Sequence, residues 1–214
     1  MNVFLLGLKI TAEAVENDGV VNVLAEALPS TERRVPTSVQ LLQNATHYVG
    51  ILLKELPIGE TILAIGPTRA TPDAVLQMQP MLVISKKNFE DLLAINLFVA
   101  AGGLGPKVDE VELTGSTVTN RSLAWTSEDQ ETNWFKLTAW DGLSKQLSDL
   151  PPGTPTIAVG KIATSERDDR NFVNYTVDKI LYLPKSSKAA PKKAADPEKG
   201  KVSAAALGSI DFSL

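Results

Sequence analysis

Leu56-Pro57-Ile58-Gly59-Glu60-Thr61-Ile62-Leu63-Ala64-Ile65-Gly66 lies without a gap over Leu150-Pro151-Pro152-Gly153-Thr154-Pro155-Thr156-Ile157-Ala158-Val159-Gly160, at an offset of 94 residues. The Leu, Pro, Gly, Ala and final Gly are identical. At the same offset Met1-Asn2-Val3-Phe4 falls on Ile95-Asn96-Leu97-Phe98, and Val49, Leu53 and Leu56 fall on Leu143, Leu147 and Leu150. The i, i+4, i+7 spacing puts each trio on one face of a short helix, which the following Pro ends. Agreement of one offset at three separate places marks an internal duplication, which sets the architecture before any local reading.

Working outward in the second copy, Val108 to Thr114 alternates as a strand, Ser122 to Trp125 reads as a short one and Thr132 to Trp140 as a longer one. After the helix come Thr156 to Ala163 and Val173 to Leu183, separated by a polar loop from Ser165 to Asn171. Five short strands with one helix between the third and fourth describe a small Greek-key barrel. The expected fold class is therefore all-β in the main: two tandem five-stranded barrels, each with one short helix, over residues 1–94 and 95–184. From Lys185 the composition turns to Lys, Ala, Pro and Ser, too little apolar surface to offset the entropy of ordering, so residues 185–214 are expected to be a disordered basic tail. Its tip, Ala206 to Leu214, is apolar again.

Composition narrows the function. The chain has 214 residues, 43% of them hydrophobic and 21% charged, which is the balance of a globular protein and not of a disordered one. No cysteine is present and His47 is the single histidine, so thiolate metal sites, clusters of histidine ligands and a cysteine nucleophile are excluded. Neither enzyme activity nor a metal or other cofactor is expected. Met1 to Leu8 is apolar, but no basic residue precedes it and Lys9 ends it, so it reads as a strand and not a signal peptide. No apolar run reaches the ~18–20 residues needed to span a bilayer, and a soluble, cytoplasmic protein is expected. The net charge is −4, with neither 1–94 nor 95–184 basic and only the tail carrying more Lys than acids.

Along Asn133-Trp134-Phe135-Lys136-Leu137-Thr138-Ala139-Trp140 the period-2 rule sends Phe135, Leu137 and Ala139 to one side and Trp134, Lys136, Thr138 and Trp140 to the other. The first set suits a barrel interior. The second interleaves two indoles with an ammonium and a hydroxyl, a platform for stacked bases beside a phosphate contact. Trp125, on a neighbouring strand, is a candidate either for the same surface or for the core. The first copy has Gln40 and Thr46 where the second has Trp134 and Trp140, and no tryptophan at all. It is expected to pair with the second copy or with another subunit.

The stretch from Glu110 to Leu183 resembles the OB-fold domain of the bacterial single-stranded DNA-binding family. The likeness rests on Trp134 to Trp140, the helix and Pro-Gly turn that follow, Gly160-Lys161-Ile162, and the closing Asn174-Tyr175-Thr176-Val177. It implies largely sequence-independent binding of single-stranded DNA, in DNA replication, recombination or repair, with Trp134, Lys136, Trp140, Trp125, Lys161, Arg167 and Arg121 as nucleic-acid-binding residues. It also implies a homo-oligomer, and replication or repair proteins as partners of the C-terminal tip. Family chains usually carry one barrel and an acidic tail, whereas this one has two copies and a basic tail. Two other functions fit the same residues: a protein-interaction module built on degenerate OB folds, and single-stranded RNA binding, since nothing here reads a 2′-hydroxyl.

Overall fold

The computed structural model describes residues 2–28, 35–85, 93–126, 132–167 and 170–183, so the tail, residues 185–214, lies outside the described residues. The elements are β1 (Asn2–Ile10), β2 (Val15–Asn17), β3 (Val20–Ala27), β4 (Thr37–Asn44), α1 (Tyr48–Glu55), β5 (Thr61–Gly66), β6 (Thr68–Ala70), β7 (Leu76–Met78) and β8 (Leu82–Ser85). After these come β9 (Asn96–Leu113), β10 (Ser116–Thr126), β11 (Thr132–Trp140), α2 (Asp141–Asp149), β12 (Pro155–Arg167) and β13 (Arg170–Tyr182).

In the second half β9 pairs with β10, β10 with β11, β11 with β13, β13 with β12, and β12 with β9 again. The circuit closes a five-stranded barrel. β11 and β13 are its parallel neighbours, a pairing that requires a crossover, here through α2 and β12. Leu147 and Ser144 of α2 are fully buried. The first half follows the same circuit, β1 to β3, β4, then parallel to β7, with β6 paired to β7, β8 to β5 and β5 back to β1. Its last two strands are each broken in two, one of them at Pro67. The lone histidine sits at the N-cap of α1, where His47 Nδ1 accepts the Val49 N–H at 3.3 Å.

The duplicated residues do duplicated work. Asn2 Nδ2 donates to Thr68 O at 3.0 Å and Asn2 Oδ1 accepts from Thr68 N at 3.1 Å; Asn96 makes the same two bonds with Ile162, at 2.8 and 2.9 Å. At Gly66 and Gly160 a Cβ would strike a backbone oxygen, that of Gln79 in one copy and of Thr176 in the other, so only glycine lets the strands approach. β1 and β9 run antiparallel with Phe4 opposite Phe98, Asn2 opposite Ala100 and Leu6 opposite Asn96, a local two-fold centred on the phenylalanines. Their rings stack at 5.8 Å, and Phe4 also meets Phe135 at 6.3 Å and Tyr175 at 6.1 Å. One apolar core therefore runs through both halves.

Three strand expectations need correction. β9 begins at Asn96, not Val108, because Gly102 to Pro106 stays in the strand. Its pairing with β10 slips between Arg121 and Leu123, so the Gly/Pro stretch is a bulge in a long strand that pairs with β1, β10 and β12. β10 runs from Ser116 to Thr126, well beyond the four residues expected. The segment Ser165 to Asn171 is not a loop throughout: Ser165 pairs with Phe172, Glu166 with Asn171 and Arg167 with Arg170, extending a β12–β13 arm. Its described residues Ser165, Glu166, Arg170 and Asn171 are exposed. Among the described residues no helix is long and apolar enough to cross a membrane.

Candidate nucleic-acid interface

The alternation along β11 places its side chains as the period requires. Phe135, Leu137 and Ala139 are buried, while Trp134 is 59% and Trp140 41% exposed, with Lys136 exposed between them. The residues opposite on β10 are small or polar: Ala124 faces Trp134, Ser122 faces Lys136, Asn120 faces Thr138 and Val118 faces Trp140. Nothing bulky on β10 covers the indoles. The Trp134 ring lies over the bulge, where a Cβ on Gly105 would come 3.7 Å from its Cζ3, so the bulge glycine provides its seat. Thr138 Oγ1 donates to Asn120 Oδ1 at 2.8 Å and ties the two strands together on this face.

The same face continues across the barrel. Thr138 pairs with Thr176 of β13, and Thr176 with Lys161 of β12, so exposed Lys161 lies two strands from Thr138, roughly 10 Å at the usual strand spacing. Phe172, Asn174 and Thr176 point the same way, because Tyr175 and Val177 point inward. Phe172 is 47% exposed and adds an aromatic that the sequence reading missed. Its signal was the alternation from Phe172 to Val177, hidden by taking the preceding residues for a loop. Exposed Arg170 stands opposite Arg167 on the arm; the side chain of Arg167 lies outside the described residues.

Two expected site residues sit elsewhere. Arg121 is 2% exposed: its Nε donates to Gly105 O at 2.9 Å and its Nη1 to Leu147 O and Leu150 O at 2.7 and 2.6 Å. Burial lowers its pKa from the usual guanidinium range. It holds the end of α2 to the bulge and has no face toward solvent. Arg121→Met is expected to lower stability by at least about 2 kcal/mol in thermal melts, since three enclosed carbonyls lose their donor. A variant equally stable but weaker in oligonucleotide binding would contradict this structural role. Trp125, opposite Asn133 and in phase with Leu123, points to the inner side and stacks on Phe135 at 6.5 Å, away from Trp134 and Trp140.

Among the described residues of the first half there is no such platform. Gln40, in the place of Trp134, accepts a hydrogen bond from Gln77 Nε2 at 2.8 Å, and Gln77 Oε1 accepts from Arg69 Nε at 2.8 Å.

No family model matches the sequence, and no curated protein is significantly similar to it. Among solved structures, the wild-type single-stranded DNA binding protein from Thermus aquaticus superposes with a TM-score of 0.66 at 17% identity, over 89% of this chain and 96% of that one. A deletion mutant of the same protein gives a TM-score of 0.66 at 18% identity, over 90% and 98%. At these identities the likeness is one of fold: the chain has an SSB-like OB-fold structure.

Proposed function

We propose that the chain binds single-stranded DNA without catalysis, largely without sequence preference, in DNA replication, recombination or repair. The observation that carries this reading is the outer face of β11, where two half-open indoles alternate with Lys136 and Thr138 over a filled core. Every base has a π-face, so stacking at roughly 1–3 kcal/mol per base tolerates any sequence. Lys136 and Lys161 supply phosphate contacts on either side of Thr138. Lys136→Ala is expected to lower the slope of log affinity against log salt by about 0.7, the single-strand value for one charge. An unchanged slope would remove Lys136 from the site.

In this reading residues 1–94 are a second, degenerate OB barrel that lost its stacking residues and kept its pairing edge, and the tail is a tether whose apolar tip engages replication or repair proteins. The chain is proposed to work as a homo-oligomer. Strands β8-β5-β1-β9-β12-β13 form one continuous sheet with an apolar outer face. Leu82, Ile65, Leu5 and Leu97 make one cross-strand row, and Leu181, Ile157 and Ala101 another. Leu82, Ile157 and Leu181 are 40–48% exposed. Exposed apolar surface of this extent marks an interface, and its two-fold centre suits a second copy. Ile157→Asp with Leu82→Asp is expected to yield monomers by sedimentation, and an unaltered chain that is itself monomeric would contradict the assembly.

A further inference from the structure

Beyond Gly160, which pairs with Phe98, the edge of β12 parts from β9. The side chain of Asn96 holds that edge at Ile162, and at Thr164 the neighbour comes from the other half of the chain. Val35 forms an antiparallel bridge with Thr164, and the hydroxyls of Thr37 and Thr164, 127 positions apart in sequence, share a hydrogen bond of 2.8 Å. Thr37 is 3% and Thr164 2% exposed. This is a second strand contact between the halves, separate from the pairing of β1 with β9.

The contact lies at the root of the β12–β13 arm. Thr164 pairs with Val173, and the next rung joins Ser165 to Phe172. Thr164 and Val173 are in phase with buried Ile162 and Tyr175, so the hydroxyl pair is on the inner side, while Phe172 and Asn174 face outward with the β11 platform. On that outer side Asn174 Nδ2 donates to Ser165 Oγ at 2.8 Å and ties the two strands together. In the first half the place of Thr164 is taken by Ala70, the last residue of the three-residue β6. A two-stranded ribbon is marginally stable by itself and its end opens readily, so a buried tie at the root limits how far the opening spreads.

We infer that the first half positions the β12–β13 arm for single-stranded DNA. Val35 and Thr37 fix the root of the arm, so that Phe172 and Arg170 are held on the platform side before a strand arrives, and less ordering is left to the binding step. Both are positioning residues, acting through the arm. A half without stacking residues of its own thereby takes part in binding. This inference rests on the reading of the β11 face as a DNA site.

In the full chain, Thr37→Ala and Thr164→Val break the bond from either side. Each is expected to weaken oligo-dT binding several-fold and to speed amide exchange at Ser165, Glu166, Phe172 and Val173, with the amides of β11 exchanging as before. Thr37→Ser keeps a hydroxyl and is expected to restore both. In a Phe172→Ala, Arg170→Ala chain, Thr37→Ala should add little to the loss, a coupling that a bond serving stability alone would not show. In the unaltered chain the amides of Thr164 and Val173 should be as protected as those of Ile162 and Tyr175, and rapid exchange there would overturn the inference even if neither variant folds. Folded variants that bind as tightly as the unaltered chain, or lose affinity equally with and without Phe172 and Arg170, overturn it too and leave the β11 face standing. If the unaltered chain binds no oligo-dT, the DNA reading fails and this inference with it.

Discussion

Removing both exposed indoles, Trp134→Ala with Trp140→Ala, is expected to cost about 2–6 kcal/mol of oligo-dT affinity, the sum of two stacked bases at roughly 1–3 kcal/mol each. That is a loss of at least about thirtyfold. Folding should barely notice, because surface substitutions away from packing contacts stay within about 0.5 kcal/mol. Buried indoles would behave in the opposite way: truncation costs about 3–5 kcal/mol of stability and affects binding only through unfolding. Trp140 is the more informative of the two, since it also starts α2, yet its side chain makes no capping hydrogen bond there. Thermal melts and titrations on the same variant separate the two cases.

Phe4→Ala is expected to have the largest effect on stability, about 3–5 kcal/mol. Its ring meets Phe98 across the local two-fold and reaches Phe135 and Tyr175 inside the second barrel. The cavity therefore opens in the core that both halves share, and no single strand can collapse to fill it. The melting temperature should fall by roughly 6–20 °C, at ~2–4 °C per kcal/mol for a domain of this size, and the unfolding should remain one transition. Two separate transitions, with the second half melting as in the unaltered chain, would show that the halves are stabilised independently.

The duplication was legible because it is carried by residues whose backbone roles leave no substitute. Asn2 and Asn96 each bridge one strand to another by a paired donor and acceptor, and Gly66 and Gly160 sit where a Cβ would strike backbone. The β11 platform was legible for a different reason: one side of that strand is fully buried, so a period of two separates Phe135, Leu137 and Ala139 cleanly from the indoles. Arg121 was misplaced because β10 was read as starting at Ser122, while Trp125 had been left open between the surface and the core. Followed from Leu123 along its full length, the same alternation turns both inward. Charge then misled, since an arginine can be enclosed when carbonyls surround it, as Gly105, Leu147 and Leu150 do here. The β12–β13 arm escaped notice because Ser165, Glu166, Arg170 and Asn171 are all exposed and show no alternation, and Phe172 because the residues before it were taken for a loop.

Tryptophan emission of the full chain, titrated separately with oligo-dT, oligo-U and duplex DNA, tests the central claim most directly. Bases stacking on Trp134 and Trp140 should quench the emission saturably with oligo-dT, and duplex DNA should leave it unchanged because its bases are already stacked. Folded protein whose emission responds to none of the three would contradict DNA binding through this face and favour a protein-interaction role instead.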